Sequence, residues 1–230
     1  MDTANLHYND AYREEVRLKD GTPIVLRTVR PQDKELIRRG FERLSPQSRY
    51  LRFFTSKKYL TDKELKRLTE VDGINHYAIG AAITEDDGSE LGMGIARFIR
   101  LDEDPEAANA AIAVVDDYQG KGLGTLLLQR IIAAAYERGI KRFVSEVLYE
   151  NVRMKNIIDE LSPTARFSQP DLGVVEAEFP LDDVMRGQDK ISNTHHSAIQ
   201  NMLSQVAREN VTVQMGKQLL KDIVKKLHLD

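Results

Sequence analysis

The chain has 230 residues, of which 41% are hydrophobic and 30% are charged, a profile typical of one large folded domain or one domain with an appendage. The absence of cysteine excludes disulfides, thiolate metal sites and a cysteine nucleophile, and the formal net charge of -3 gives no overall support for nucleic-acid binding. The apolar runs are too short to cross a bilayer and the first ten residues lack the features of a signal peptide, so we expect a cytoplasmic protein without a membrane partner.

The first part of the chain predicts a hairpin followed by three helices. Residues 14–29 alternate between apolar and polar on either side of Asp20-Gly21, which is a turn signal. Three helix starts follow, marked by proline in the first turn or by a capping residue. The predicted helices begin at Pro31, Ser45 and Thr61.

The middle of the chain alternates strands and helices. The run at residues 108–115 is almost wholly small and apolar, which suits a buried central strand. The order of elements predicts an α/β architecture with an antiparallel start. Strands are predicted at residues 77–83, 91–98, 108–115, 142–148 and 174–179, and helices at 122–138 and 151–161.

Beyond residue 183 the pattern changes to two amphipathic stripes, which predict two helices broken near residues 210–216. The predicted division is therefore a main domain at residues 1–183 and a C-terminal helical extension at 184–230. The extension could pack on its own domain or pair across a homodimer. His195 and His196 lack further ligands at a useful spacing, so no metal site is predicted.

The sharpest signal is a glycine-rich turn between the strand that ends at Val115 and the helix that begins at Gly122. Backbone amides at a helix start are not used inside the helix, and the helix dipole adds positive potential there. Glycines let the chain approach a bulky anion without Cβ clashes, so a pyrophosphate is the expected ligand. The spacing fits neither a Rossmann fingerprint nor a Walker loop. A turn whose glycines serve only packing is the alternative.

The stretch Gln119-x-x-Gly122-x-Gly124, preceded by the strand and Asp117-Tyr118, resembles the acetyl-CoA signature of the GNAT N-acetyltransferases. The resemblance implies the α+β GNAT fold, with a central mixed, mostly antiparallel sheet flanked by helices. It implies acetyl-CoA as cosubstrate, with its pyrophosphate on the amides of the turn and its pantetheine on the backbone of the preceding strand. Asn151 matches a family asparagine near the pantetheine, although a plain helix N-cap explains it equally well. The implied cofactor-binding residues are Ile112, Ala113, Val114, Gln119, Gly120, Lys121, Gly122, Leu123, Gly124, Thr125 and Asn151.

Two upstream blocks extend the resemblance to a subgroup. Residues 29–33 (VRPQD) and 44–54 (LSPQSRYLRFF) look like the acetyltransferase domain of Pat-type bacterial protein lysine acetyltransferases. This likeness covers roughly residues 15–180. It implies a protein lysine as the favoured acceptor, with a small amine as the other acceptor class.

The implied catalytic residues are weaker than the implied cofactor site. The Pat-like pattern places a glutamate base at position 109, where this chain has Asn109, which cannot take a proton at neutral pH but can orient a water or the substrate. Glu146 matches the base of ribosomal-protein N-terminal acetyltransferases by its spacing to Asn151, and a structural salt bridge is the alternative role. The usual tyrosine acid is replaced by Ile158. The function is therefore expected to be acetyl transfer to a primary amine with Glu146 and Asn109 as catalytic residues, or else non-catalytic acyl-CoA binding by a sensor or partner protein.

Overall fold

The computed structural model describes residues 3–186, which form one eight-stranded sheet with helices on both faces. The strand order is β1-β2-β3-β4-β5-β6-β8-β7, and every neighbouring pair is antiparallel except β5 and β6. This is the mixed, mostly antiparallel sheet that the sequence predicts. The strands are β1 (Arg13–Arg17), β2 (Pro23–Thr28), β3 (His76–Thr84), β4 (Glu90–Arg100), β5 (Ala107–Val114), β6 (Arg142–Leu148), β7 (Arg166–Phe167) and β8 (Val174–Pro180).

Between residues 3 and 180, five α-helices pack against the sheet. Three precede β3 and pack on one face around a small apolar cluster that includes Phe41, Leu65 and Val115. The other two flank β6 in the chain and share the main core with the opposite face, where Leu127 and Phe143 are fully buried. The helices are α1 (Lys34–Glu42), α2 (Pro46–Phe53), α3 (Asp62–Thr69), α4 (Leu123–Glu137) and α5 (Val152–Leu161).

Local capping explains where the early helices begin. The Ser45 side chain accepts a hydrogen bond from the Ser48 amide and Pro46 follows it in the first turn of α2. Thr61 and Glu64 form the predicted capping box at the start of α3. The helix predicted from Pro31 opens instead with a short 3-10 turn and becomes α-helical at Lys34.

The last described residues, 181–186, are helical, and Val184 is buried in the main core. Packing of the described unit therefore continues past residue 183, and the expected domain boundary there stays a prediction. The two amphipathic helices and the homodimer expected from residues 184–230 lie almost entirely outside the described residues. Within residues 3–186, no helix combines the length and apolar character needed to span a bilayer.

Candidate active site

The central strands β5 and β6 run side by side only at their beginning and then diverge. Their parallel ladder consists of Ala107 opposite Arg142 and Ala108 opposite Phe143. Beyond this point side chains replace backbone hydrogen bonds. The Asn109 amide donates to the Val144 carbonyl at 3.3 Å, and the Ala110 backbone amide donates to Ser145 Oγ at 2.9 Å. These two contacts hold the strands at the start of a V-shaped opening.

The free edge of β5 along this opening exposes alternate backbone groups. The Val115 amide donates to Met93 of β4, and the Ala107 carbonyl accepts from Leu101, so odd-numbered residues direct their backbone groups toward β4. The register between β4 and β5 is continuous, and the amide and carbonyl of Ile112 and the amide of Val114 therefore face the opening. Ala113 was expected to bind pantetheine through its backbone, but the same alternation turns its backbone groups into the β4 ladder. This correction leaves Ile112 and Val114 as the available pair.

The opening leads to the glycine-rich turn at the start of α4. Gly120 and Gly122 have φ angles of +78° and +88°, a region that side chains rarely adopt. Among the described residues, no acceptor lies within normal hydrogen-bond geometry of the backbone amides of residues 120–125. The first turn of α4 also carries no acidic residue. A cluster of unused amides at the N-terminus of a helix whose first turn has no acidic residue is suited to binding a pyrophosphate, so the residues present fit the group that the sequence implies.

The β1–β2 hairpin supports this turn from outside. The Lys19 amide donates to the Lys121 carbonyl at 3.3 Å, and Lys121 Nζ lies 3.1 Å from the Asp20 carboxylate. The exposed Lys19 side chain passes so close to Gly122 that a Cβ there would lie 3.2 Å from Lys19 Cε. The positively charged Lys19 side chain of the hairpin therefore lies beside the glycine-rich turn. The sequence pattern did not identify this contact.

Gln119 is held by three elements at once. Its Nε2 donates to the Val114 carbonyl and to Ser48 Oγ, both at 3.0 Å, and its Oε1 accepts from Arg153 of α5 at 2.5 Å. The glutamine therefore satisfies the last outward carbonyl of β5 and joins that strand to α2 and α5. Its side chain has a structural role in shaping the turn.

Asp116 anchors α2 to the end of β5. Its carboxylate accepts hydrogen bonds from the Ser45 amide at 2.9 Å, from Ser45 Oγ at 2.7 Å and from Ser48 Oγ at 2.8 Å. Burial by itself would raise the pKa of Asp116, but these donors outweigh it and hold the pKa of this carboxyl below its usual value. The serines of the upstream block thus have a physical reason for their positions.

A cavity of about 160 Å³ lies in the opening between β5 and β6. It brings together Asn109 and Ile112 of β5, Glu146 of β6 and Asn151 at the start of α5, three separate segments of the chain. The end of α2 closes one side of it with Arg52 and Phe54. Phe54 has a φ angle of +59°, an uncommon conformation for a bulky residue that ends the helix at this wall. The predicted catalytic residues Glu146 and Asn109 therefore share one cavity with two of the four predicted pantetheine residues, Ile112 and Asn151.

The two predicted catalytic residues, Glu146 and Asn109, differ in the partners of their side chains. Glu146 is exposed and lines the cavity, and its carboxylate has no ion-pair or hydrogen-bond partner among residues 3–186, so the structural salt bridge considered as an alternative is not formed there. Its cross-strand neighbour is Glu176 of β8. Asn109 uses its amide to bridge β5 and β6, which an ionised glutamate at this position could not do because it has no proton to donate.

Asn151 and Ile158, the two other positions singled out in the sequence, both have structural roles. The Asn151 side chain accepts a hydrogen bond from the Met154 amide at 3.2 Å, so it is the N-cap of α5 while also lining the cavity. Ile158 is 3% exposed and belongs to the main core, so the position where the family often has an acid is here a packing position.

Comparison with known proteins identifies the family. The profile of the Acetyltransferase (GNAT) family matches residues 45–159. The chain is 34% identical over 179 residues to the acetyltransferase Pat of Mycolicibacterium smegmatis, a match that covers 74% of this chain and 50% of that protein. An acetyltransferase of Pseudomonas aeruginosa is 30% identical over 140 residues, which is 61% of this chain and 74% of the relative. The chain thus spans only about half the length of the Mycolicibacterium relative.

The fold agrees with the sequence match. The crystal structure of the GNAT domain of S. lividans PAT superposes with a TM-score of 0.66 at 30% identity, covering 73% of this chain and 96% of that domain. The diverging strands and the amide-rich turn lie within residues 45–159, which the profile matches. The chain therefore belongs to the GNAT family of acetyltransferases, for which acetyl-CoA is the acyl donor.

Proposed function

We propose that this protein transfers an acetyl group from acetyl-CoA to the side-chain amine of a protein lysine. The observation that carries the proposal is the continuous path from the unused amides of the turn, along the free edge of β5, to a cavity that contains a carboxylate with no partner among residues 3–186. The Pat relatives support a lysine acceptor, because their names agree with the subgroup that the sequence blocks at residues 29–33 and 44–54 resemble.

In this proposal the pyrophosphate and the pantetheine arm of acetyl-CoA are bound by different groups of the protein. The pyrophosphate is bound by the amides of Gly120 to Thr125 and by the positive end of α4. Lys19 adds a positive charge at the same place. The pantetheine arm continues the hydrogen bonding of β5 through the backbone of Ile112 and Val114, and the Asn151 amide remains available to it because only its oxygen is used as a cap.

Acetyl-CoA supplies a thioester whose carbonyl carbon an uncharged amine can attack. A lysine ammonium with a pKa near ~10.4 must first lose a proton. Glu146 accepts this proton, directly or through a water, since its carboxylate lines the cavity and is not used by a partner among the described residues. Asn109 bridges β5 and β6 through its amide and takes no part in the proton transfer. In this scheme the departing thiolate takes its proton from solvent, because Ile158 cannot supply one.

The test is steady-state turnover of acetyl-CoA with a lysine peptide and with a panel of small amines, in the Glu146→Gln variant and its matched control. Loss of a general base lowers kcat by about a hundredfold or more. Glu176→Gln is the control, because Glu176 faces Glu146 across the β6–β8 ladder but lies one strand farther from β5. Equal turnover of the Glu146→Gln variant and the unaltered protein would remove Glu146 as the base.

One observation favours a second candidate, a non-catalytic acyl-CoA-binding protein. Asn109 and Ile158 are both engaged in structural contacts at positions where the family often has proton-transfer groups. This candidate predicts calorimetric binding of acetyl-CoA without turnover on any amine in the panel. Turnover of the lysine peptide above the small amines would support the first candidate.

A further inference from the structure

A second cavity, of about 100 Å³, lies on the opposite side of β5 from α4, between the sheet and helices α1 to α3. Most of its wall is apolar, and its floor on the sheet consists of small residues such as Gly80, Ala111 and Ala113. A Cβ at Gly80 would meet only Val29 at an ordinary contact distance of 3.6 Å, so close packing does not require this glycine. The site proposed above for acetyl-CoA does not use this space.

The floor of this cavity contains a buried arginine. Arg97 of β4 lies between Ala78 of β3 and Ala111 of β5 in the ladder, and it is only 5% exposed. Its guanidinium contacts His76 Nε2 at 3.1 Å and donates to the Leu68 carbonyl at 3.1 Å. No carboxylate among residues 3–186 pairs with it. Three of its five N–H donors therefore remain available, although a buried charge normally requires a partner.

Other cations next to Arg97 increase the need for an anion. Arg52 lines the same cavity, and its guanidinium has no hydrogen bond to the described residues, only a stacking contact 5.1 Å from the Phe53 ring centroid. Burial first, and then the charges of Arg52 and Arg67, lower the pKa of Arg97 to about 9. Burial also lowers the pKa of His76 to about 4, so His76 is a neutral neighbour near pH 7.

Two other arginines of the described chain form more hydrogen bonds within the protein than Arg97 or Arg52 does. Arg138 donates to three backbone carbonyls and stacks on Tyr77 at 4.2 Å. Arg27, which also borders the cavity, forms two 2.8 Å hydrogen bonds with Asp33 and further bonds with Glu90. Arg97 and Arg52 differ from both, because their guanidinium groups have unused N–H donors and both side chains line the same largely apolar cavity.

We propose that this cavity binds a small monocarboxylate with an apolar body, whose carboxylate is held by Arg97 and Arg52. A carboxylate matches the fork of a guanidinium and can also bridge two of them. The volume of about 100 Å³ corresponds to roughly seven to ten water positions at ~10–15 Å³ each, which suits a short branched or aromatic acid. Arg52 and Ala111 border both cavities, so the ligand lies against the proposed acyl site.

Binding is tested on the full chain without acetyl-CoA, with isovalerate as the probe and its neutral analogue isovaleramide as the ligand control. Calorimetry should show that isovalerate binds at least about tenfold more tightly than isovaleramide, because the charged hydrogen bonds are lost with the amide. Inorganic phosphate should bind more weakly than isovalerate, because it cannot fill the apolar part of the cavity. Equal binding of isovalerate and isovaleramide, or tighter binding of phosphate, would overturn the proposal.

Substitutions test whether isovalerate binding depends on the arginines of this cavity. Arg97→Met should weaken isovalerate binding at least about tenfold without lowering the unfolding midpoint, since it removes an unpaired buried cation. Arg52→Gln gives the same test with less effect on the core, and applies if Arg97→Met does not fold. Arg39→Gln is the control, because Arg39 is an exposed arginine on α1. Unchanged isovalerate affinity in the Arg52→Gln variant, or a matching loss of acetyl-CoA affinity in the Arg97→Met variant, would refute a separate carboxylate site.

Discussion

Replacing Asp116 with alanine removes the acceptor that joins the start of α2 to the end of β5. Three donors lose their partner, namely the Ser45 amide, Ser45 Oγ and Ser48 Oγ. Ser48 Oγ also accepts from Gln119, so the change reaches the side chain that positions the glycine-rich turn. We therefore expect an effect on both stability and acetyl-CoA binding.

The expected loss of stability follows from the hydrogen bonds. A hydrogen bond to a charged group contributes about 1.5–3 kcal/mol net, but bonds to one carboxylate are not additive and the two hydroxyls can turn to solvent. The Ser45 amide keeps a partner only if the helix start moves. We expect Asp116→Ala to lower the free energy of unfolding by about 2–4 kcal/mol, which in a domain of this size corresponds to roughly 5–15 °C in the unfolding midpoint.

Thermal and denaturant unfolding of the full chain measure this loss, and calorimetry measures the affinity for acetyl-CoA in the same variant. Asp117→Ala is the matched control, because the Asp117 side chain is 78% exposed and only reaches Arg43 at 3.6 Å. The control should change the unfolding free energy by less than about 0.5 kcal/mol. Equal destabilisation by the two substitutions would refute the anchoring role of Asp116.

Two further results are expected. Lys19→Met should raise the KM for acetyl-CoA about two- to fivefold, because it removes a partly solvated positive charge beside the turn. The kcat and the KM for the acceptor should not change. Steady-state kinetics with each substrate varied in turn measures both KM values, and a rise in the KM for the acceptor would contradict the prediction. Glu14→Gln should lower stability near neutral pH by about 1–3 kcal/mol, because Glu14 receives two hydrogen bonds from Arg130. The Arg130 bonds lower the pKa of Glu14 in the folded state, so this stability is present above the ordinary value of 4.5 and is lost as the pH falls through the lower folded value. Denaturant unfolding at several pH values checks this, and a gap between the two proteins that persists at strongly acidic pH would contradict it.

The glycine-rich turn could be predicted from the sequence because its cause is local. The positive φ angles of Gly120 and Gly122, and the amides left over at the start of a helix, depend on a few consecutive residues. The capping of α2 and α3 was predictable for the same reason. The assignment of Ala113 was wrong because the direction of a strand's backbone groups depends on which neighbour it pairs with, and that neighbour is β4.

The structural role of Asn109 could not be predicted from the residue type at that position alone. In the sequence it marks the loss of an expected carboxylate, whereas in the fold its amide bridges β5 to the Val144 carbonyl. Arg97 is similar, because the sequence by itself does not show whether an arginine in a strand faces solvent or the interior. Only the packing of α1 to α3 over that face makes it a buried cation.

The amino-acid sequence alone determined the family, the order of the elements and the place of the cofactor turn, because each depends on neighbouring residues and short spacings. The tertiary structure decided which backbone groups of β5 are free, how Glu146 and Asn109 share one cavity, and that Arg97 and Arg52 meet at another. Those features arise where strands and helices distant in sequence come together, so their chemistry exists only once the sheet is formed and covered.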